Sequence, residues 1–397
     1  MRNSLVIYTG SFRFPIGDAG AARVLGIGKA LRTAGFEVVF GGGEAEGRPE
    51  DRNEFGGYRY QGFAYVPQGH LFRDDSGPWR RVLQMGRAGK ETLRWIERHR
   101  PHGIAAIIAY DPSTPLLLRL KRYAGRHRIR LVVDLTEWPT GRNLPGGLLG
   151  ARNLDSEFRL RYLYRQSDNV IGVSSFLAEY YRRASCRTVR IPPLVDLDDP
   201  KWNAPSGENA ASLQLIYAGT PGNKDLLGNI LRGLLFPEGR AVKAELHLVG
   251  VTQEQAARLC GGSLQQSGDG NARVICYDRI SQNEVPRRLA AADFSVLLRP
   301  DEKYAHAGFP TKLAESLSAG TPAIVNATSD IAEYVRDGRE GFIVPGHSPE
   351  AFAATLRKIA AIPRERIRDM KHLAKQRACE VFDYRSYRSV LQEFLAG

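Results

Sequence analysis

The chain has 397 residues, 43% of them hydrophobic and 25% charged, a mix that lets two or three domains bury ordinary cores. Its formal charge is +13, and no apolar run approaches the roughly 18–20 residues of a membrane-spanning helix. Four scattered cysteines (Cys186, Cys260, Cys276, Cys379) lack CxxC or Cys/His spacing, which argues against a zinc site or a disulfide frame and for free thiols in a reducing cytoplasm.

In chain order, Met1-Arg2-Asn3-Ser4 gives way at once to Leu5–Thr9, which reads as a first strand and not as a secretory signal. Further short apolar runs predict strands at Glu37–Phe40, Tyr58–Val66, Ile104–Ala109, Leu131–Asp134 and Asn169–Val173. Amphipathic segments predict helices at Ala21–Ala34, Trp79–Arg98, Pro115–Arg126, Leu154–Gln166 and Phe176–Ala184, with a glycine-rich loop over Gly41–Arg59. A stretch rich in Pro, Asp, Asn and Gly then interrupts the pattern. Strands resume at Leu213–Ala218, Glu245–Val249, Arg273–Tyr277, Phe294–Leu298, Ala323–Asn326 and Gly341–Val344. The expected fold is α/β: two Rossmann-like, doubly wound domains at residues 1–195 and 212–380, joined by a linker at 196–211. Residues 381–397 form a separate helix (Tyr387, Leu391, Phe394) able to cross back onto the first domain or to cap the second. Two such halves face a cleft, and ligands gather outside the carboxyl ends of the strands.

The most informative stretch runs from Ala305 through Gly308-Phe309-Pro310-Thr311-Lys312-Leu313-Ala314-Glu315 to Gly320. It reads as a loop entering a helix, with Pro310 at the first helical position and Leu313 and Leu317 facing the core. The helix start offers free N–H groups and a positive dipole end to an anion. Lys312 in that first turn is electrostatically unfavourable, and a bound phosphate would remove the conflict. Glu315 is placed to accept hydrogen bonds from sugar hydroxyls.

On these residues the sequence resembles retaining glycosyltransferase family 4 of the GT-B fold, in its Phe-Pro-Thr-Lys…Glu subgroup. Matching elements include Gly17-Asp18-Ala19-Gly20-Ala21-Ala22-Arg23, Val132-Val133-Asp134-Leu135-Thr136-Glu137-Trp138, Ile191-Pro192-Pro193-Leu194-Val195-Asp196 and Tyr217-Ala218-Gly219-Thr220. The resemblance implies a nucleotide-sugar donor in the C-terminal domain and an acceptor in the N-terminal one, with retention of configuration, no metal and no cofactor. It maps the ribose-binding glutamate onto Glu315, the diphosphate loop and lysine onto Gly219 and Lys224, and the N-terminal phosphate loop onto Gly17 and Gly20. Three positions depart from the family: Ala307 stands for its first glutamate, Thr220 for its phosphate arginine, and Thr136 for its frequent histidine.

Departing diphosphate gathers negative charge, so cations aimed at it should supply much of the rate. Lys224 is the first candidate, against a surface lysine. Arg299, at a strand end, is expected to replace the cation missing at Thr220, against a salt bridge to Asp293 or Asp301. Gly308, Phe309, Thr311 and Lys312 complete the expected donor site, with Thr311 offering its hydroxyl or N–H or acting as an ordinary cap. Asp134 and Glu137 are expected to position or deprotonate an acceptor hydroxyl, against a cap or a partner for Arg142. Arg23 is expected to bind acceptor phosphate, against a helix-surface arginine, and His306 stands beside the site unpaired.

The charge is uneven. Residues 1–200 hold 31 basic against 21 acidic groups, and Arg makes up 45 of all 56 basic residues. This suits an anionic membrane surface, a lipid-linked phosphate or an anionic sugar chain in the N-terminal half, with Trp79, Arg80, Arg81, Arg87, Lys90 and Arg94 as an interfacial helix, against a solvated helix or plain arginine abundance. The protein is thus expected to be cytoplasmic and peripheral on the inner face of the membrane, in envelope polysaccharide synthesis. Gly26-Ile27-Gly28 lacks the third glycine of a dinucleotide fingerprint. No nucleic-acid module is recognised. Rival readings are a sugar-nucleotide epimerase or phosphorylase on the same frame, and a non-catalytic nucleotide-sugar-binding protein.

Overall fold

The computed structural model describes residues 4–15, 18–42, 57–68, 89–141, 146–205, 207, 211–222, 224–262, 271–281 and 283–396. They divide into two units, residues 1–194 with 384–397, and residues 195–383.

In the first unit the chain runs β1 (Leu5–Gly10), α1 (Ala19–Thr33), β2 (Glu37–Gly41), β3 (Tyr58–Tyr60), β4 (Phe63–Tyr65), α2 (Lys90–His99), β5 (Ile104–Tyr110), α3 (Thr114–His127), β6 (Arg130–Leu135), α4 (Ala151–Phe158), β7 (Asn169–Gly172), α5 (Ser175–Arg182) and β8 (Arg187–Arg190). The sheet order is β3-β4-β2-β1-β5-β6-β7-β8, parallel except for the β3/β4 pair. All six residues of β1 are buried, as a central parallel strand covered on both faces requires. Val6 and Tyr8 pack with Val24, Ile27 and Leu31 of α1 on one face. Leu5 and Ile7 pack with Trp95 and Ile96 of α2 and Leu116 and Leu120 of α3 on the other. Alternate side chains of one strand therefore serve two cores. Asp18 caps α1 by accepting from the Ala21 N–H at 3.1 Å.

The second unit runs β9 (Leu213–Ala218), α6 (Leu227–Leu235), α7 (Pro237–Arg240), β10 (Ala244–Val249), α8 (Gln253–Cys260), β11 (Ala272–Tyr277), α9 (Val285–Ala291), β12 (Phe294–Leu297), α10 (Lys303–Ala307), α11 (Thr311–Ser318), β13 (Ala323–Asn326), α12 (Ile331–Tyr334), β14 (Gly341–Val344), α13 (Pro349–Ala360) and α14 (Arg364–Val381). Its six strands are all parallel, in the order β11-β10-β9-β12-β13-β14. The last helix, α15 (Arg388–Ala396), belongs to the first unit, where Leu391 and Phe394 join the core beside α1. Arg187 donates to the Glu393 carbonyl at 2.8 Å and Arg130 to that of Phe394 at 3.3 Å, so two cations satisfy the helix's terminal carbonyls.

Several elements differ from the sequence expectation. Tyr58–Val66 is not one strand but a hairpin, because Gln61 and Gly62 take positive φ (46° and 78°) and turn the chain between β3 and β4. Leu154–Gln166 is not one helix: α4 passes into a π-helical turn, Arg159–Leu163, and a 3-10 turn, Tyr164–Gln166. Edge strand β8 escapes an apolar search because both its ends are arginine. Of the basic Trp79–Arg98 segment only the part in α2 can be compared; Trp79, Arg80, Arg81 and Arg87 lie outside the described residues, as does Arg142.

Gly26 and Gly28 owe their identity to packing. A Cβ on Gly26 would lie 2.8 Å from the Leu194 carbonyl oxygen, and one on Gly28 would lie 2.5 Å from the Phe40 ring. That ring has no room to retreat, with Phe14 at 4.4 Å and Phe63 at 5.2 Å. Gly28→Ala gains up to ~1 kcal/mol of helix propensity but overpacks a rigid aromatic cluster, at ~1–3 kcal/mol. The net expectation is destabilisation, read as a lower urea midpoint with unchanged slope.

Candidate functional site

In the second unit, polar side chains converge at the carboxyl end of β9. Gly219 follows the strand at φ +138°, and a Cβ there would lie 2.4 Å from Cε of Lys312. The glycine therefore gives Lys312, from the first turn of α11, a path across the loop. The ammonium donates to the Tyr217 hydroxyl at 2.9 Å, ion-pairs with Asp225, and stands 4.6 Å from the centre of the Tyr217 ring. Tyr217 in turn donates to Asp225 at 2.7 Å. Burial and the Asp225 charge push the Tyr217 hydroxyl pKa up, so it stays a neutral donor.

The sequence reading left the unfavourable charge of Lys312 at a positive helix end to a ligand; Asp225 already relieves it. Asp225 is not among the expected site residues, and Tyr217 enters the sequence analysis only as part of the Tyr217–Thr220 match. The available signal was local: an acid next to Lys224, and a tyrosine two residues before Gly219.

Helix α11 starts at Thr311, with Pro310 as its N-cap rather than its first helical residue, and no side chain caps it. Its leading N–H groups are thus of the kind that bind anions. Half-buried Glu315 sits one turn in. Among the described residues no group hydrogen-bonds its carboxylate, and burial pushes its pKa up, against the pull of Lys312 and then Lys201. Glu315 and Lys312 both line a cavity of about 20 Å³ against β9, β12 and β13.

The other predicted donor residues fall into two groups. Thr220 and Lys224 are exposed in the loop between β9 and α6, with Lys224 in a turn three residues before the helix. Arg299, by contrast, is 4% exposed, and its Nη1 donates to the carbonyls of Ala305 at 2.9 Å and Gly308 at 3.3 Å. Its backbone is locked to Asn326 by two 2.8 Å bonds. This corrects both readings of Arg299. Asp293 pairs with Arg364 and Asp301 with His306, so Arg299 is neither ion-paired there nor presented as an open phosphate cation. It holds the turn that leads into α11. Phe309 is likewise turned inward, against Tyr334 at 4.9 Å and Phe382 at 6.0 Å, so only its backbone and that of buried Gly308 can approach a ligand. His306 is not unpaired: Nε2 bonds Asp301 at 2.5 Å and Nδ1 accepts from the Ser329 N–H.

In the first unit, the expected acceptor residues Arg23 and Asp134 are 3% and 0% exposed and bind each other. Arg23 Nη2 donates to Asp134 Oδ1 at 2.6 Å, Nε reaches both carboxylate oxygens, and Nη1 donates to the Ile191 carbonyl at 2.9 Å. Tyr8 donates to the same carboxylate at 2.5 Å. The assignment of either group to an acceptor is therefore corrected: both are spent in a closed network that ties α1, β1 and β6 together. Glu137 stays half-buried just beyond β6. Gly20 lies where a Cβ would come within 3.2 Å of the Tyr110 hydroxyl, and Gly17 lies outside the described residues.

Two family models match the chain, "Glycosyl transferase 4-like domain" over residues 19–194 and "Glycosyl transferases group 1" over residues 222–361. A D-inositol 3-phosphate glycosyltransferase of Thermomonospora curvata is 36% identical over 78 residues, 20% of this chain and 17% of that protein. The match thus spans under a fifth of that relative's length. Among solved structures, sucrose-phosphate synthase from Thermosynechococcus elongatus superposes with a TM-score of 0.70 at 17% identity, covering 99% of this chain and 98% of that one. Anabaena HepE in complex with UDP-glucose gives 0.63 at 14% identity, covering 98% and 99%. At these identities the structural likeness is one of fold, and that fold is GT-B.

Two outcomes check this geometry. Arg23→Met leaves the Asp134 carboxylate buried without its main donor and should cost ~3–5 kcal/mol in chemical denaturation. Gly219→Ala must adopt a strained φ and displace Lys312, for a loss of roughly 1–3 kcal/mol by the same measurement.

Proposed function

We propose that this chain, which carries a glycosyl transferase 4-like domain followed by a group 1 glycosyltransferase domain, moves a sugar from a nucleotide-sugar to a hydroxyl of a glycan or lipid-linked saccharide. The observation that carries the donor assignment is the Glu315 carboxylate, half-buried with no hydrogen-bond donor among the described residues, one turn inside an uncapped helix. Burying a carboxylate without donors is unfavourable, and a pair of vicinal ribose hydroxyls supplies two. With the pentose there, the diphosphate falls to the open N–H groups of α11 and the backbone beside Gly219. Lys312 lies across this loop, and exposed Lys224 is the further cation.

In this reading the residues divide the work. The helix start and the two lysines stabilise charge on the departing diphosphate as the glycosidic bond loosens. Thr311 contributes its N–H or hydroxyl to the same phosphates. Arg299 acts as a positioning residue by holding the Ala305–Gly308 turn. Glu137, at the carboxyl end of β6, is the remaining candidate to orient an acceptor hydroxyl in the first unit. Retention of configuration and independence from metal belong to this proposal through the family resemblance. HepE holds UDP-glucose, so UDP-sugars head the panel of donors to test.

The test is thermal stabilisation by nucleotide-sugars, since a ligand of the folded state alone raises its melting temperature. Glu315→Gln should weaken nucleotide-sugar binding by roughly tenfold or more, because a neutral amide accepts more weakly than a carboxylate. The same change should stabilise the unliganded protein near neutral pH. The sign follows from the raised pKa: at low pH the carboxyl is neutral whether folded or unfolded, and wild type and variant coincide. As pH rises past the ordinary glutamate value the unfolded chain ionises first and wild-type stability falls. The variant's advantage therefore grows through that window and is complete above the raised folded pKa. An unshifted melting temperature with every nucleotide-sugar would remove the donor assignment, and conversion of the donor with no acceptor present would favour an epimerase.

A further inference from the structure

Among the described residues, six of the eight large hydrophobic side chains that stand exposed lie between positions 118 and 162, all in the first unit. Leu148 and Leu149 are 66% and 87% exposed on a short 3-10 turn between glycines. Leu154, Phe158 and Tyr162 follow at intervals of four residues on α4 and its π-helical extension, 56%, 48% and 60% exposed. Phe158 and Tyr162 touch, with ring centres 5.9 Å apart, so the three make one continuous stripe.

The sixth residue, Leu118, lines a groove of about 780 Å³ between α2 and α3. Five cations line the same groove, Lys90 and Arg94 from α2 and Arg119, Arg122 and Arg126 from α3, and no acidic side chain lines it among the described residues. Groove and stripe are neighbours on one side of the sheet: Lys121 of α3 donates to the Gln166 carbonyl just beyond the stripe, at 2.9 Å. At the other end Arg159 donates to the Pro112 carbonyl, two residues before α3.

The geometry points to an anionic lipid surface as the partner of this face, with the stripe entering the headgroup boundary and the groove taking lipid phosphates. Three observations select that occupant. The apolar part stands in solvent, with Leu149 87% exposed, as suits insertion into a soft interface. The polar part is a concentrated excess of guanidinium groups, complementary to phosphate. A second copy of this chain would bring the same cations against themselves, which disfavours self-association through this face. No described helix is long and apolar enough to cross a membrane, so the attachment is interfacial.

This inference stands apart from the donor assignment, which concerns the second unit. Its test is co-sedimentation of the whole chain with phosphatidylcholine vesicles, with and without phosphatidylglycerol at roughly a third of the lipid. Binding should require the anionic lipid and weaken with salt. Arg122→Glu with Arg126→Glu should lower partitioning by roughly tenfold or more. Leu149→Ser with Phe158→Ser should lower it by roughly tenfold through lost apolar burial while keeping the salt dependence. All four positions are exposed, so both variants should keep the wild-type melting temperature and its response to nucleotide-sugars. Failure of the parent to sediment with anionic vesicles at low salt overturns the proposal. So does equal binding by both variants, or a dimer that the Leu149/Phe158 variant dissolves without change in vesicle binding.

Discussion

A lysine in the first turn of a helix sits against the positive end of the backbone dipole, and the second unit is built around resolving that conflict at Lys312. The resolution has two parts. Gly219 removes a side chain from the path, so that the Lys312 stem can lie across the strand end. Asp225 and Tyr217 then meet the ammonium, one with charge and the other with a hydroxyl and a ring face. The lysine is thereby fixed beside the helix start rather than repelled from it, and no side chain caps α11. Arg299 serves the same end from below by bonding the carbonyls of the turn that delivers the chain into the helix.

The first unit shows the opposite use of charge at a strand end. Asp134 occupies the carboxyl end of β6, the place where ligands of such sheets collect. Here the carboxylate is fully engaged by Arg23 and Tyr8, with Arg23 also holding the Ile191 carbonyl. Burial pushes the Tyr8 hydroxyl far from ionisation, so the network carries one positive and one negative charge and no net one. Such a pair is costly to break from either side, and it binds α1 to the strand end instead of binding an acceptor.

The strand and helix alternation was legible because parallel strands buried on both faces are short apolar runs, and every run except Tyr58–Val66 became a single strand. What escaped was set by backbone geometry or by long-range pairing. Gln61-Gly62 turned one expected strand into a hairpin, a change that positive φ dictates and hydrophobicity does not register. The π-helical turn at Arg159 leaves no trace in an apolar count. At the site, Glu315 and Lys312 stood out because a charged residue inside an apolar helix pattern calls for a reason. Asp225 did not, since its partner lies 87 residues away in sequence. Arg23 read as an acceptor-phosphate residue or a helix-surface arginine, because the partner that takes it up lies 111 positions away. Phe309 carried a motif position whose side chain the fold spends on Tyr334 and Phe382.

Position at a strand end therefore does not by itself tell a binding residue from a structural one; the state of its hydrogen-bonding capacity does. Asp134 receives donors from two side chains and has nothing left for a ligand. Arg299 is turned toward backbone carbonyls, and His306 has both ring nitrogens engaged. Glu315 is the contrast: a half-buried carboxylate whose pKa burial raises, yet given no donor by the described residues around it. Folding alone would not retain such a group, because an apolar side chain of similar volume would fit the Leu313–Leu317 helix at lower free energy. In the proposed liganded state, hydroxyl donors complete what the fold leaves open. The same reasoning reaches the first unit, where Leu149 and its neighbours lie exposed against the ordinary preference for burial, and a partner surface is what would bring both arrangements back to balance.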